Sequence, residues 1–250
     1  MMDFYETLAP VYDGLNRDAD YQKMADCVKS CLEDYLPNPP EILLDAGCGT
    51  GSLTLLLSEF AENIIGADAS YDMLCVARNK ALSEGKDILF LEQSLEELDL
   101  YGTVDGAVCT MDTLNHLPDF SAFSAALARI ALFIAPGGLF LLDLNTAYKH
   151  QTVLANSTIV KESEEAFCVW ENSLEPDLSV SMTVNLFVGD EEMGYDRQTI
   201  CQKEILIPEE TLFSSAKEAD LVLLERFSDY DRKEKPTQET QRITYLFQKK

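Results

Sequence analysis

Basic residues are scarce: 19 lysines and arginines stand against 44 aspartates and glutamates, a formal net charge of −25. A phosphate-binding face needs clustered cations, so this balance argues against a nucleic-acid partner. Most of the excess acid reads as a solvated surface. Long apolar runs are also missing. The longest, around Ala125 to Ala135, contains Arg129 and falls short of the roughly 18 residues a membrane span needs, so it reads as a buried-face helix. The amino terminus carries Asp3 and Glu6 without a long apolar stretch, which leaves no signal-peptide pattern. The seven cysteines form no small secreted framework. Cys27 and Cys31 fall one helical turn apart, yet no second pair or clustered histidines complete a metal site, and none is expected. There is no Cys-x-x-x-Cys-x-x-Cys run of the radical-enzyme kind, no internal repeat, no low-complexity tract and no heptad pattern. A chain in the reducing cytoplasm, with no membrane partner, is the expectation.

What is present centres on Ile42-Leu43-Leu44-Asp45-Ala46-Gly47-Cys48-Gly49-Thr50-Gly51. An apolar run ends in an acid, turns through three alternate glycines, and enters the helical pattern Ser52 to Leu57. Strand, glycine turn and helix start are the geometry in which an α/β protein brings its backbone against a nucleotide-like ligand. A dinucleotide fingerprint, G-x-G-x-x-G, would place its third glycine at position 52, which is Ser52. The preceding Asp45 would repel a pyrophosphate but suits an ammonium group. S-adenosylmethionine is therefore expected ahead of NAD, and a nicotinamide oxidoreductase is further disfavoured by the lack of a Tyr-x-x-x-Lys constellation.

Leu44 to Gly51 resembles the first motif of the class I, Rossmann-like S-adenosylmethionine-dependent methyltransferases. The resemblance implies a glycine turn, Gly47, Cys48, Gly49 and Gly51, beside the methionine part of the cofactor, with Asp45 near its ammonium. Asn63 to Asp68 reads as a second strand ending in a carboxylate placed to clamp ribose hydroxyls. Ala69 follows it, and Met73 corresponds to a residue lying on the adenine face, although a Met at helical spacing also suits ordinary core. Ile88 to Ser94 reads as strand three. Family members commonly carry an Asp where Ser94 stands, so the adenine role falls to Ser94, Gln93 or backbone beside Leu95. Gly106 to Thr110 reads as strand four, and Thr110 to His116 should border the cofactor. Asn115 and His116 match a loop pair close to the transferred methyl: Asn115 as a positioning group, His116 as a base or acceptor contact, these two being the catalytic candidates. The segment Phe4 to Asp13 resembles an N-terminal stretch that folds over the cofactor, which would bring Tyr12, and Tyr21 beyond it, to the methionine end.

Tyr21 to Tyr35 has helical periodicity and is stopped by Pro37-Asn38-Pro39-Pro40. Phe120 to Ile134 reads as a helix ended by Ala135-Pro136-Gly137-Gly138, and Leu139 to Leu144 as a fifth, buried strand. Beyond Tyr148 the pattern alternates: Phe167 to Glu171, Leu178 to Val188 and Tyr195 to Ile207 read as about three antiparallel strands. Pro208 to Leu212 restarts a helix, and Leu221 to Tyr230 and Arg242 to Gln248 read as strands. The fold expected is α/β: a doubly wound, mostly parallel seven-stranded sheet with helices on both faces, plus a small antiparallel insertion. Residues 1–148 and 208–250 would form the cofactor domain and 149–207 a lid. Trp170, Tyr195 and Arg197 on that lid are acceptor candidates. The function expected is in-line methyl transfer to a small molecule, an amine slightly preferred, by a monomer or homodimer. A cofactor-binding protein of the same fold without transfer is the alternative.

Overall fold

The computed structural model describes residues 8–164, 166–190 and 194–250. Seven strands form one sheet: β1 (Ile42–Ala46), β2 (Asn63–Asp68), β3 (Leu89–Glu92), β4 (Val104–Cys109), β5 (Ile134–Asn145), β10 (Leu221–Ser228) and β11 (Arg242–Lys249), in the order β10-β11-β5-β4-β1-β2-β3. Only β11 runs against its neighbours. The remaining strands, β6 (Thr158–Glu162), β7 (Ala166–Leu174), β8 (Val180–Asp190) and β9 (Gly194–Glu204), form a separate antiparallel sheet. The seven-stranded, mostly parallel sheet and the antiparallel insertion are as expected. No helix among the described residues is long and apolar enough to cross a membrane.

Five helices flank the large sheet: α1 (Tyr21–Tyr35), α2 (Ser52–Leu57), α3 (Tyr71–Ser83), α4 (Phe120–Phe133) and α5 (Glu209–Glu218). Local chemistry starts them. Asp20 accepts from Lys23 N–H at 2.9 Å, Ser70 from Met73 N–H at 3.3 Å, and Asp119 from Ala122 N–H at 2.9 Å. Such caps satisfy donors that the first helical turn leaves orphaned. Alternation along the strands divides the core. Leu43, Val108 and Leu141 meet Met24, Val28 and Leu32 of α1 on one face, while Ala107, Phe140 and Phe247 meet Phe123, Leu127 and Leu212 on the other. A further cluster joins Leu8, Val11 and Leu15 of the N-terminal segment to Met73 of α3 and to Cys168, Val184 and Leu186 of the small sheet. That packing holds the small sheet over the carboxyl ends of β1, β2 and β4.

The structure corrects several boundaries. β5 begins at Ile134, straight after α4, because Pro136-Gly137-Gly138 forms a bulge and does not end the strand. Pairing with β4 shifts between Val104 and Gly106, and a Cβ on Gly138 would lie 2.7 Å from the Asp105 carbonyl. The insertion has four strands, not three. β6 was not visible because it is an edge strand without a buried residue, so no apolar alternation marks it. β3 is shorter than expected, and β9 stops at Glu204. Phe4 to Thr7 of the N-terminal stretch, and Glu191 to Met193 of the expected turn, lie outside the described residues.

Candidate functional site

A cavity of about 320 Å³ opens where β1, β2, β3 and β4 end. Its wall starts with the glycine turn. Gly47 takes φ +77°, and a Cβ there would meet Thr113 Cγ2 at 2.4 Å, so the next loop can approach only a glycine. Gly49 takes φ +53° with nothing within 4 Å of where its Cβ would stand, leaving bare backbone toward the cavity. Asp68 accepts from Gly49 N–H and from Ser70 N–H, each at 2.8 Å. The carboxylate at the end of β2 thus braces the turn as well as facing the cavity. The N-terminal segment closes one side. Asp13 accepts from Thr50 Oγ1 at 2.7 Å and pairs with Lys80 Nζ at 2.6 Å, which also donates to Ser52 at 2.8 Å.

Asp45 lies on the cavity floor, only 2% exposed, and accepts a 2.6 Å hydrogen bond from Thr54. Burial, opposed by Thr54 and reinforced by the charge of Asp68, raises its pKa to about 7. Burial also raises Tyr21 to about 12, with Asp13 adding to it, and pushes Tyr12 well above the ordinary phenol range. Both phenols stay protonated and available as donors.

A second cavity of about 440 Å³ shares Tyr12, Met111 and His116 with the first. The loop between them is strained. Met111 and Asp112 are consecutive non-glycine residues at positive φ, 59° and 54°. Asp143 holds them by accepting from Met111 N–H at 2.8 Å and Asp112 N–H at 2.7 Å. Tyr230 donates to the same carboxylate, and Arg242 lies across Asp143 and Asp112. Burial opposes ionisation of Asp112, but Arg242 and Lys149 win and hold it well below the usual carboxylate range. For Asp143, burial wins and its pKa is raised, Arg242 only partly offsetting it. Asp112, His116 and Glu204 bring donor atoms within 4.8 Å of one another. The cations facing that group are Arg242 and Lys149 of the chain itself.

The structure brings together on the first cavity Tyr12, Tyr21, Asp45, Gly47, Cys48, Gly49, Asp68, Ala69, Met73, Ser94, Leu95, Thr110 and His116. Gly51 lies behind the wall, where a Cβ would stand 2.9 Å from Ala77 Cβ; it admits α3. Gln93 turns away and bonds the Asp99 backbone. Asn115 reaches neither cavity. Fully buried, it donates to the Ile205 carbonyl at 2.8 Å and accepts from Asn145 N–H at 3.1 Å, which pins the loop to the end of β9. Trp170 lines the second cavity. Tyr195 and Arg197 do not; they project from the other face of β9, where Arg197 bonds Asn185 at 2.7 Å. Sequence reasoning passed over Glu96 and Gln202 on the first cavity, and Asp112, Lys149, Glu204, Tyr230 and Arg242 on the second. Only Asp112 stood inside a stretch already marked as bordering the site.

Residues 43–138 match the family model described as a methyltransferase domain. Over 99% of both chains, the fold superposes on a crystal structure of an S-adenosylmethionine-dependent methyltransferase from Clostridium acetobutylicum ATCC 824, with a TM-score of 0.88 and 31% identity. The chain belongs to the class I S-adenosylmethionine-dependent methyltransferases. YqeM of Bacillus subtilis (strain 168) is 29% identical over 98% of this chain and 97% of its own. The demethylmenaquinone methyltransferase of Thermus thermophilus is 32% identical over 54% of this chain and 60% of its own.

S-adenosylmethionine is the cofactor of this methyltransferase, and two features of the first cavity fit it. A buried carboxylate, paired with no cation among the described residues, stands ready for an ammonium group at Asp45, and the bare backbone at Gly49 leaves a cradle that a Cβ would fill.

Proposed function

We infer that this methyltransferase acts on a small polar acceptor, an amine ahead of a hydroxyl compound, bound in the second cavity. The observation that carries the reading is that cavity's chemistry. Asp18, Asp20, Asp112, Glu204 and Asp229 face Lys23, Lys149, Lys161 and Arg242 across it. A long apolar tail would desolvate these charges without return. One of the acids, Glu204, is buried near the junction with the cofactor cavity with no Lys or Arg paired to it among the described residues, where it favours a cationic nitrogen. CalS10 of Micromonospora echinaspora, titled an amino pentose methyltransferase, shares the fold at 18% identity, with a TM-score of 0.74 over 100% of this chain and 98% of its own.

In this reading Asp45 faces the cofactor's ammonium, Asp68 its ribose, and Ser94 with Leu95 the adenine side. Residues 149–207 serve as the acceptor lid on a cofactor domain of 1–148 and 208–250. S-adenosylmethionine supplies, when bound, a methyl carbon on a cationic sulfur that leaves as a neutral thioether. The protein's task is alignment, and orientation of bound reactants lowers a barrier by up to roughly 7–11 kcal/mol. Tyr12, Met111 and His116 form the shared wall across which nitrogen and methyl must meet. An amine arrives protonated and needs a base; His116, 19% exposed at its side chain, is the group placed to take that proton. The seven free thiols suit a reducing cytoplasm.

The test is a competition. The enzyme and S-adenosylmethionine are incubated with amino sugars and amino acids beside catechols and quinols, and products are read by mass spectrometry. N-methylated product is expected. Methylation confined to catechols or quinols would overturn the reading.

A further inference from the structure

The chain has two histidines, and both face one buried carboxylate. Glu204, at the end of β9, turns Oε1 toward His116 Nε2 at 3.8 Å and Oε2 toward His150 Nε2 at 3.6 Å. His150 is fully enclosed in the helical turn Lys149–Leu154 after β5, and its Nδ1 lies 2.8 Å from the Leu178 carbonyl oxygen. A carbonyl only accepts, so Nδ1 carries a proton and the tautomer is fixed. Nε2 is buried without a hydrogen-bond partner among the described residues. A bare Nε2 beside an ionised Glu204 would set lone pairs against each other where both side chains are buried. One proton between them removes that conflict, as imidazolium with carboxylate or as imidazole with carboxylic acid. At His116 the Gln202 amide nitrogen stands 3.2 Å from Nδ1; an amide nitrogen donates, so Nδ1 accepts and Nε2–H points to Glu204.

We propose that Glu204 and His150 form a proton-holding pair that sets the basicity of His116 during methyl transfer. Both are positioning residues, and the proposal rests on the reading of His116 as the base. When Gln202 releases His116 Nδ1 and that nitrogen takes the acceptor's proton, the proton on the Glu204–His150 line settles on His150. One carboxyl O–H breaks as one imidazole N–H forms, and Glu204 meets the new imidazolium as a full carboxylate. The gaps at His116 and His150 are about 0.9 and 0.7 Å longer than an ordinary N–H···O hydrogen bond of about 2.9 Å, so each closes only when a side chain rotates.

The surroundings favour this pair as the element that changes. Asn145 Nδ2 donates to Glu204 Oε2 and to Asp112 Oδ2, both at 2.9 Å. Asp112 already faces Lys149 and Arg242, and Asp143 with Tyr230 lies beyond Arg242. Those charges are matched, and no cation of that group contacts Glu204 among the described residues.

With two histidines, nitrogen-15 NMR of the whole chain resolves both rings without any acceptor. In the wild-type protein, His150 Nδ1 is expected to stay protonated from about pH 5.5 to 8.5, with Nε2 protonated or sharing its proton. In His150→Asn, which keeps an amide nitrogen for Leu178 but deletes Nε2, and in Glu204→Gln, the His116 midpoint should move by about half a pH unit or more. A bare His150 Nε2 beside an ionised Glu204 in the wild type would overturn the proposal, even if neither variant folds. So would a His116 midpoint unmoved in His150→Asn, since the charge lost in Glu204→Gln moves it whether or not His150 takes part. A shared proton at His150, together with amine methylation whose pH profile is indifferent to His116→Asn, would overturn the base assignment beneath it.

Discussion

Asp45→Asn should make the cofactor-free protein more stable and the cofactor-binding protein useless. Asp45 is buried, and its pKa of about 7 stands well above the ordinary 3.8. A carboxyl group whose folded pKa is raised contributes full stability below its unfolded pKa and loses it as pH rises through the folded value. The window is therefore about pH 4 to 7. Three units at 1.36 kcal/mol each give a loss of about 4 kcal/mol by pH 8, of which about 2–3 kcal/mol falls between pH 5 and 8.5. Asparagine can still accept the Thr54 hydrogen bond and never ionises, so it escapes that loss. Urea unfolding of both proteins, without cofactor, at several pH values isolates this one group, since the other titrating residues cancel in the difference. The variant should gain on the wild type as pH rises and level off above about pH 8. A cationic ligand at Asp45 reverses the preference, so S-adenosylhomocysteine should bind the wild type more tightly as pH approaches 8 and bind the variant poorly. A stability difference flat across pH, or a variant weaker than wild type at pH 8.5, would refute the reasoning.

Gly49→Ala should cost only about 1–2 kcal/mol of stability from its left-handed backbone, yet lower cofactor affinity more than tenfold, because its Cβ enters the cavity; calorimetric titration beside a melting curve separates the two. Gly47→Ala meets Thr113 Cγ2 at 2.4 Å, so it should destabilise strongly and be partly rescued by Thr113→Ser, a rescue whose absence would show that the backbone angle dominates. Removing the partly exposed Asp13–Lys80 pair with Lys80→Met should weaken S-adenosylhomocysteine binding by a few-fold, about 1 kcal/mol or less, with the melting point nearly unchanged. Arg242→Met leaves Asp112 and Asp143 buried without their main cation and should cost about 3–5 kcal/mol in urea unfolding; a near-neutral result would mean that Lys149 alone suffices.

Much of the first cavity was legible because it is built from short-range rules. Asp45, Asp68 and Thr110 stand at or next to the ends of neighbouring parallel strands, and such ends converge in any doubly wound sheet. The glycines at 47 and 49 mark positive φ within four residues of that first strand. The second cavity was not legible. Glu204, His150 and His116 come from three separated segments, and Asn115 joins two of them only because its side chain reaches Ile205 across the fold. Face was a second hidden quantity. Tyr195 and Arg197 were proposed from the right strand, but side chains alternate, and Gln202 and Glu204 take the inward positions on β9. Which face a strand of the small sheet turns inward depends on its packing against the N-terminal segment and α3. The strand–turn–helix motif therefore determined where the first cavity opens. Only long-range packing decided which charges wait on the other side.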